Sequence, residues 1–296
     1  MEWTSDLKPQ AAQAMWSEDL LWQAERGAAL GREHCSCQGR YHALWGALRA
    51  SGFLGSLHSE EATISSAISH LLSDRARLLI GGSADPATLC AIGRISNSSR
   101  MDVTIVDQCA APLELIKEFA AQKNISCETV QANLLEFEST KKWDVIFLNY
   151  TLSFIAARDR AKFFSQLARC LAPGGTLVCL AKTGVSAKTD LRDELESAWA
   201  NEALKALRES TLDGFMKPSE LEQNIHQYAA ARTVRRFNII TASEIERLLL
   251  GVGLTSCATK ATPRKWVLKG VETNRSDAES SVILTARNER DDERSS

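Results

Sequence analysis

RLLIGGSAD at residues 77–85, a helical segment, and VTIVD at residues 103–107 form the pattern strand, glycine loop, helix, strand and acid. A short apolar run bounded by glycine is typical of a buried parallel strand, and two adjacent glycines let the backbone pass close to a ligand. The second strand ends on Asp107, 26 residues after Gly81. In doubly wound sheets an acid at this place accepts hydrogen bonds from ribose hydroxyls. The sequence therefore predicts a ligand that contains adenosine.

The glycine loop departs from the dinucleotide pattern G-x-G-x-x-G, because Ser83, Asp85 and Pro86 follow the two glycines. A strand-to-helix turn of this kind also occurs without any ligand. In that interpretation Ser83 and Asp85 cap the next helix and Pro86 takes its first position. Helix capping and ligand binding are compatible, so both roles stay open.

The composition favours a small or neutral partner. At 296 residues the chain can bury the core of one large α/β domain. Its 35 lysines and arginines nearly balance 37 aspartates and glutamates, so no net charge draws it to nucleic acid or to a membrane surface. The start at 1–10 is unlike a signal peptide, and no apolar run is as long as a membrane span. We therefore expect a cytoplasmic protein that binds neither nucleic acid nor a membrane.

Eight scattered cysteines indicate reduced thiols rather than a disulfide framework. The one local cluster is HCSC at 34–37. A zinc site there would need two further ligands, with His42 nearby, and C-x-C lacks the C-x-x-C spacing of structural zinc sites. Free thiols before a helix are the favoured interpretation, and no metal is expected.

Strand and helix patterns alternate from residue 77 onward and predict a parallel sheet. Residues 11–72 show helical spacing without a strand signal. Five strands are expected at 78–80, 103–106, 126–131, 144–148 and 176–180, with helices at 87–95, 112–122 and 158–171 between them. PGG at 173–175 predicts a sharp turn into the fifth strand.

Beyond the fifth strand the pattern becomes helical again, over an insertion at 187–232. A further helix at 242–250 precedes strands at 254–258, 266–268 and 281–286, and the last strands are expected to form a hairpin-like pair with a long link. From Asn288 the chain is charged and has nothing to bury. We therefore expect three parts: a helical N-terminal region (1–74), an α/β domain (75–287) with its helical insertion, and a disordered tail (288–296).

Five motifs along this pattern belong together. They are the glycine loop at 81–85, the acid at 107, ANL at 132–134, WDVI at 143–146 leading to Asn149 and Tyr150, and LAPGGTL at 171–177. Together they resemble the class I S-adenosylmethionine-dependent methyltransferases, over 77–286. The resemblance implies a Rossmann-like α/β fold with a seven-stranded, mostly parallel sheet, the last strand antiparallel, and helices on both faces. It also implies S-adenosylmethionine as cofactor, with the N-terminal region and the insertion covering a small-molecule substrate.

The resemblance assigns a cofactor site by position. Gly81, Gly82 and Ser83 would approach the amino-acid and ribose portions, with Asp85 closing the loop. The remaining positions are Asp107 for the ribose hydroxyls, Gln108 against the adenine, Asn133 for the adenine amino group, Leu134 on the ring, and Asn149 with Tyr150 at the methionine part. Two positions depart from the family pattern: Leu79 stands where an acid is often found, and Asp85 replaces the last glycine of the loop.

Methyl transfer needs a general base only if the acceptor must first lose a proton. The candidates are Tyr41 and His42 in the N-terminal region, and His226 and Tyr228 in the insertion. Arginines at 232, 235 and 236 form either a clamp for an anionic substrate group or a solvated face.

Three functions stay open. The leading one is methylation of a small molecule on O, N or C by in-line displacement. The second is an enzyme of the same fold that cyclises or otherwise converts the aminobutyrate portion of the cofactor, because a fold supplies orientation and not one chemistry. The third is a degenerate, non-catalytic interaction protein, which the departures at Leu79 and Asp85 favour. The helical additions would serve equally as a lid or as a homodimer contact.

Overall fold

The computed structural model describes residues 15–37, 40–55, 57, 60–96, 101–183, 192–210, 212, 216–236, 240–262 and 280–289. The helices are α1 (Leu20–His34), α2 (Tyr41–Ala50), α3 (Glu61–Ile68), α4 (Ala87–Ser96), α5 (Ala110–Lys123), α6 (Arg160–Cys170), α7 (Arg192–Arg208), α8 (Pro218–Arg236) and α9 (Ala242–Gly251). The strands are β1 (Arg77–Gly81), β2 (Asp102–Asp107), β3 (Cys127–Gln131), β4 (Trp143–Asn149), β5 (Leu171–Thr183), β6 (Thr255–Ala261) and β7 (Ser280–Arg287). No helix in these ranges is long and apolar enough to cross a membrane.

The seven strands form one sheet in the order β3-β2-β1-β4-β5-β7-β6. The strands from β3 to β5 pair in parallel, and β7 runs antiparallel to both β5 and β6. This arrangement confirms the predicted fold class. The strand order reverses between β1 and β4, and a ligand crevice in such a sheet forms at this switch point, beyond the carboxyl ends of the strands.

Alternation along the central strands gives the sheet two apolar faces. Leu78 and Ile80 of β1 pack with α4, α5 and α3 on one face, whereas Leu79 packs with α6 and α9 on the other. All three are fully buried. Helices therefore cover both faces, as the sequence predicted.

The N-terminal helices and the insertion share a core of their own. Leu44 and Leu48 of α2 pack with Trp199 of α7 and Tyr228 of α8. Helix α1 contacts α5 through an ion pair between Arg26 and Glu118. The two helical additions therefore meet each other at the cavity described below.

Two details of the fold differ from the sequence-based expectation. Strand β5 already starts at Leu171, which pairs with Trp143, and the PGG segment forms an irregularity within the strand before Thr176 resumes pairing. Asn288, assigned to the tail, is buried, because its amide donates to Ala172 O at 3.0 Å and its backbone bonds to that segment. Asn288 therefore packs against the α/β domain. The strand expected at 266–268 and the rest of the expected tail, 290–296, lie outside the described residues.

Candidate functional site

A cavity of about 500 Å³ opens over the carboxyl ends of β1, β2 and β4. Ligand pockets for small molecules and cofactors typically measure about 300–1,000 Å³. Of the ten expected cofactor residues and the two base candidates of the N-terminal region, eleven line this cavity: Tyr41, His42, Gly82, Ser83, Asp85, Asp107, Gln108, Asn133, Leu134, Asn149 and Tyr150. Gly81 is not among the lining residues, and a Cβ there would approach Leu148 to 2.8 Å. Its small size serves the packing of the sheet.

The turn after β1 is locked onto the end of β2. Gly82 has a positive φ of 76°, which favours glycine, and its backbone N–H donates to Val106 O at 2.8 Å. The next N–H, of Ser83, donates to Asp107 Oδ2 at 3.0 Å. The other oxygen, Oδ1, accepts from Cys109 N at 2.8 Å. Two backbone amides therefore fix the carboxylate of Asp107 at the cavity wall.

The ionisation of Asp107 is set by opposing effects. Burial raises its pKa above the ordinary value, while the hydrogen bonds from Cys109 and Ser83 and the nearby His42 lower it, and the net shift is upward. A partly desolvated carboxylate is a strong acceptor for ligand hydroxyls.

The carboxylate of Asp85 is hydrogen-bonded to neighbouring helices. Its Oδ2 accepts from Trp45 Nε1 at 2.8 Å and from Arg49 Nη1 at 2.5 Å, and its Oδ1 accepts from Ala87 N at 2.9 Å. Arg49 also pairs with Glu18 at 2.5 Å. Burial alone would lower the pKa of Arg49, but the neighbouring acids hold it above its usual range.

Asp85, the acid that replaces the last loop glycine, caps α4, as expected, and joins α2 to the loop. Ser83, by contrast, donates its hydroxyl to Asp85 O and not to the helix end.

The residues after β3 and β4 differ in how they face the cavity. Asn133 is exposed, and its Oδ1 accepts from Leu135 N at 3.0 Å, while Leu134 is buried beside it.

Asn149, at the end of β4, donates from Nδ2 to Thr88 Oγ1 at 2.9 Å, whereas its Oδ1 is buried without a partner in the described part of the chain. Tyr150 has a positive φ of 56°, and its hydroxyl bonds to Glu60 and Ser281.

Aromatic rings from the two helical additions form one wall of the cavity. The ring of Tyr41 lies 5.2 Å from Trp45, 5.3 Å from Tyr228 and 6.1 Å from Phe154. Tyr228 is buried, whereas His226 on the same helix is exposed and does not line the cavity. Three cationic side chains, Arg49, Lys182 and Arg232, also line it, and Arg49 is the one paired with Asp85 and Glu18. The side chains at 235 and 236 lie outside the described residues.

Comparison with known proteins agrees with this geometry. The profile of a family described as Methyltransferase domain matches residues 90–175, which run from α4 into β5. This stretch is similar to a methyltransferase domain, and the chain shares its fold with a solved S-adenosylmethionine-dependent methyltransferase. A curated relative, the carboxy-S-adenosyl-L-methionine synthase of Pseudomonas savastanoi, is 27% identical over 163 residues, and the match covers 51% of this chain and 66% of the relative. The match thus spans slightly less than two thirds of that protein.

Solved structures with the methyltransferase fold superpose on most of the chain. Phosphoethanolamine N-methyltransferase 2 of Haemonchus contortus has a TM-score of 0.55 and 13% identity, covering 84% of this chain and 58% of its own. An O-methyltransferase family protein of Burkholderia thailandensis has a TM-score of 0.51 and 14% identity, covering 83% of this chain and 60% of its own. At these identities the likeness concerns the fold.

One cluster of cysteine and histidine side chains was not recognised from the sequence as a whole. Cys35, Cys37, His42 and Cys109 bring their sulfur and nitrogen atoms within 4.8 Å of one another. Cys35 Sγ lies 3.3 Å from His42 Nδ1. The missing member was Cys109, two residues after Asp107. Cys109 follows the carboxyl end of β2. The N-terminal region was expected to cover this edge of the sheet, so the position of Cys109 in the sequence is the signal that could have placed it near Cys35 and Cys37.

The cluster favours a negative charge on sulfur. Hydrogen bonds from Cys109 and Cys37 hold the pKa of Cys35 well below its usual range. Hydrogen bonds with Cys109 and Cys35, together with burial, raise the pKa of Cys37. Burial lowers the pKa of His42, but hydrogen bonds to Cys109 and Cys35 outweigh it and raise that pKa to about 9.

Proposed function

We propose that this chain uses S-adenosylmethionine to methylate a small-molecule acceptor. The observation that carries the proposal is the fixed carboxylate of Asp107, held by two backbone amides at the end of β2 and lining the cavity. Each oxygen already accepts one backbone N–H and retains capacity for one more donor. That leaves two acceptor sites for the two neighbouring hydroxyls of a ribose.

The polar groups at the end of β4 fit the amino-acid portion of the same cofactor. Asn149 Oδ1 is a buried acceptor without a partner among the described residues, and such a group costs free energy unless a ligand satisfies it. The α-ammonium group of S-adenosylmethionine is a donor of the required kind. We therefore propose that Asn149 binds this ammonium group while Thr88 holds the side-chain amide in place.

Replacing Asn149 tests that assignment. We expect Asn149→Ala to weaken binding of S-adenosylhomocysteine by about 10-fold or more, because hydrogen bonds to charged groups are worth about 1.5–3 kcal/mol. The measurement is calorimetric titration with S-adenosylhomocysteine and with its analogue that lacks the α-amino group. The wild type should discriminate between the two ligands, and the variant should bind both with similar affinity. Equal discrimination by both proteins would refute this contact.

The acceptor would lie against the aromatic wall. Tyr41, Trp45, Phe154 and Tyr228 come from three separate parts of the chain and enclose the cavity opposite the sheet. An apolar wall excludes water from the reacting atoms and positions a flat or apolar substrate. We therefore propose that residues 1–74 and the insertion at 187–232 form the substrate-covering part of the enzyme.

Orientation supplies most of the proposed catalysis. When bound, S-adenosylmethionine provides an electrophilic methyl group on a sulfonium leaving group. The residues of this chain hold the acceptor atom in line with that methyl, and positioning of this kind lowers a barrier by about 7–11 kcal/mol. Tyr41 and His42 remain the proposed general bases for an acceptor that must lose a proton, and both line the cavity.

A second candidate is conversion of the cofactor itself. The curated relatives named carboxy-S-adenosyl-L-methionine synthase favour it. The cationic groups of Lys182 and Arg232 at the cavity also favour it, since a carboxylate pairs with such groups.

One experiment separates these functions. The purified chain is titrated with S-adenosylmethionine and S-adenosylhomocysteine, and is then incubated with S-adenosylmethionine and candidate acceptors before mass spectrometry. Micromolar binding and an acceptor heavier by one methyl group would support the methyltransferase. A chemically altered S-adenosyl product without a methylated acceptor would support cofactor conversion. Binding of neither ligand would contradict both and favour a non-catalytic protein.

A further inference from the structure

Three separate chain segments converge on the cluster of Cys35, Cys37, His42 and Cys109. Cys35 follows α1, Cys37 lies in the next loop, and His42 belongs to the first turn of α2. Cys109 comes from the α/β domain, directly before α5. His42 and Cys109 are buried, and Cys35 and Cys37 are half-buried. The cluster thus lies at the contact between the N-terminal helices and the sheet.

The donor set and its dimensions match a closed tetrahedral site. Three thiols and one imidazole are a ligand set of structural zinc sites. Zn–S bonds of about 2.3 Å in a tetrahedron place the sulfur atoms about 3.8 Å apart. The donor atoms here all lie within 4.8 Å of one another, and Cys35 Sγ is 3.3 Å from His42 Nδ1. Small shifts of side chains bring all four into one coordination sphere.

We propose that Cys35, Cys37, His42 and Cys109 bind one Zn²⁺ ion that fastens the N-terminal helices to the end of β2. Soft thiolate donors select zinc over magnesium or calcium, and four protein ligands leave no open position for a substrate. The site is therefore structural. The proposal goes beyond the proposed enzymatic function and does not depend on it.

Binding requires loss of protons from the ligands. Each of the three thiols releases its proton to solvent, and the imidazole binds in its neutral form. The site then carries one net negative charge. Acidification weakens binding because protons compete with the metal for all four donors.

Zinc would also act on the cofactor site through the backbone. The N–H of Cys109 donates to Asp107 Oδ1 at 2.8 Å. Fixing Cys109 Sγ in a coordination sphere therefore fixes one of the two amides that orient Asp107. With His42 as a ligand, its imidazole is not available as a general base, so Tyr41 would remain as the candidate in the N-terminal region.

The first test measures metal content in the full chain. Wild type, Cys37→Ser, Cys109→Ser and the control Cys127→Ser are produced in zinc-supplemented medium, and zinc is quantified by mass spectrometry. Cys127 is a half-buried cysteine on β3 outside the cluster. We expect one zinc per chain in the wild type and the control, and well under one zinc per chain in the two cluster variants, because each of them lacks one of the four ligands. Equal zinc content in all four proteins would overturn the proposal.

A second measurement uses the wild type alone, so it does not depend on folded variants. The chain is stripped of metal under reducing conditions and titrated with Co²⁺. Intense visible bands of tetrahedral cobalt with a thiolate charge-transfer band, displaced by one equivalent of Zn²⁺, are expected. Weak bands of octahedral cobalt would overturn the proposal. So would isolation of a metal-free chain whose mass is lower by the two hydrogens of a disulfide within the cluster.

Discussion

Arg49→Met is expected to destabilise the protein by about 3–5 kcal/mol, because it leaves two buried carboxylates without their shared cation. Arg49 lies 2.5 Å from Asp85 and 2.5 Å from Glu18, and its side chain is only 4% exposed. The side chains of Asp85 and Glu18 are 5% and 12% exposed. Methionine fills a similar volume but cannot neutralise either acid. Chemical denaturation followed by circular dichroism measures the loss.

Arg26→Met is a matched control for this prediction. Arg26 also joins an N-terminal helix to the α/β domain, through a 2.5 Å ion pair with Glu118, but these side chains are 40% and 34% exposed. Exposed pairs contribute at most about 1 kcal/mol. Combining Arg49→Met with Asp85→Asn and Glu18→Gln should recover part of the lost stability, because the unpaired charges are then removed. Similar losses for Arg49→Met and Arg26→Met would contradict the role of burial.

The sheet could be predicted because its signals are local. The apolar runs of β1, β2 and β4 and the glycines at 81 and 82 lie within short segments, and parallel pairing follows from their alternation with helices. The class of fold in turn fixes which strand ends face the ligand. This explains why nine of the expected residues reach one cavity although they are dispersed from Gly82 to Tyr150.

The partners of Asp85, the full set of cluster ligands and the position of Asn288 could not be predicted. They depend on contacts between distant parts of the chain. The sequence predicts that Asp85 caps a helix and departs from the glycine pattern, but it does not show that Arg49 and Trp45 reach this acid. The C-x-C segment appeared to lack ligands, since Cys109 joins it only when α1 and α2 lie against the end of β2. Asn288 was expected in a disordered tail, and this expectation is wrong. Its hydrogen-bond partners lie more than 100 residues earlier, at the start of β5, and the local sequence does not indicate them. Such contacts have no periodic signature in the sequence.

Asp107→Ala is expected to weaken binding of S-adenosylhomocysteine by at least about tenfold, since hydrogen bonds to a charged acceptor are worth about 1.5–3 kcal/mol. The carboxylate is held by Ser83 N and Cys109 N, and its remaining lone pairs are the proposed acceptors for ribose hydroxyls. Calorimetric titration measures the dissociation constant. The control is Asp144→Ala at the opposite end of the strands, where the carboxylate pairs with Arg77 at 2.6 Å and does not line the cavity.

A ligand series distinguishes loss of the ribose contact from a general disturbance of the loop. Wild type should bind S-adenosylhomocysteine more tightly than its 2′-deoxy and 3′-deoxy analogues, because each analogue removes one donor. Asp107→Ala should bind all three ligands alike, since the acceptor is gone in every case. A disturbed loop would instead weaken all three equally and preserve the discrimination. Unchanged affinity in Asp107→Ala would show that the ribose is not bound by this acid, and the cofactor would then have to lie elsewhere in the cavity.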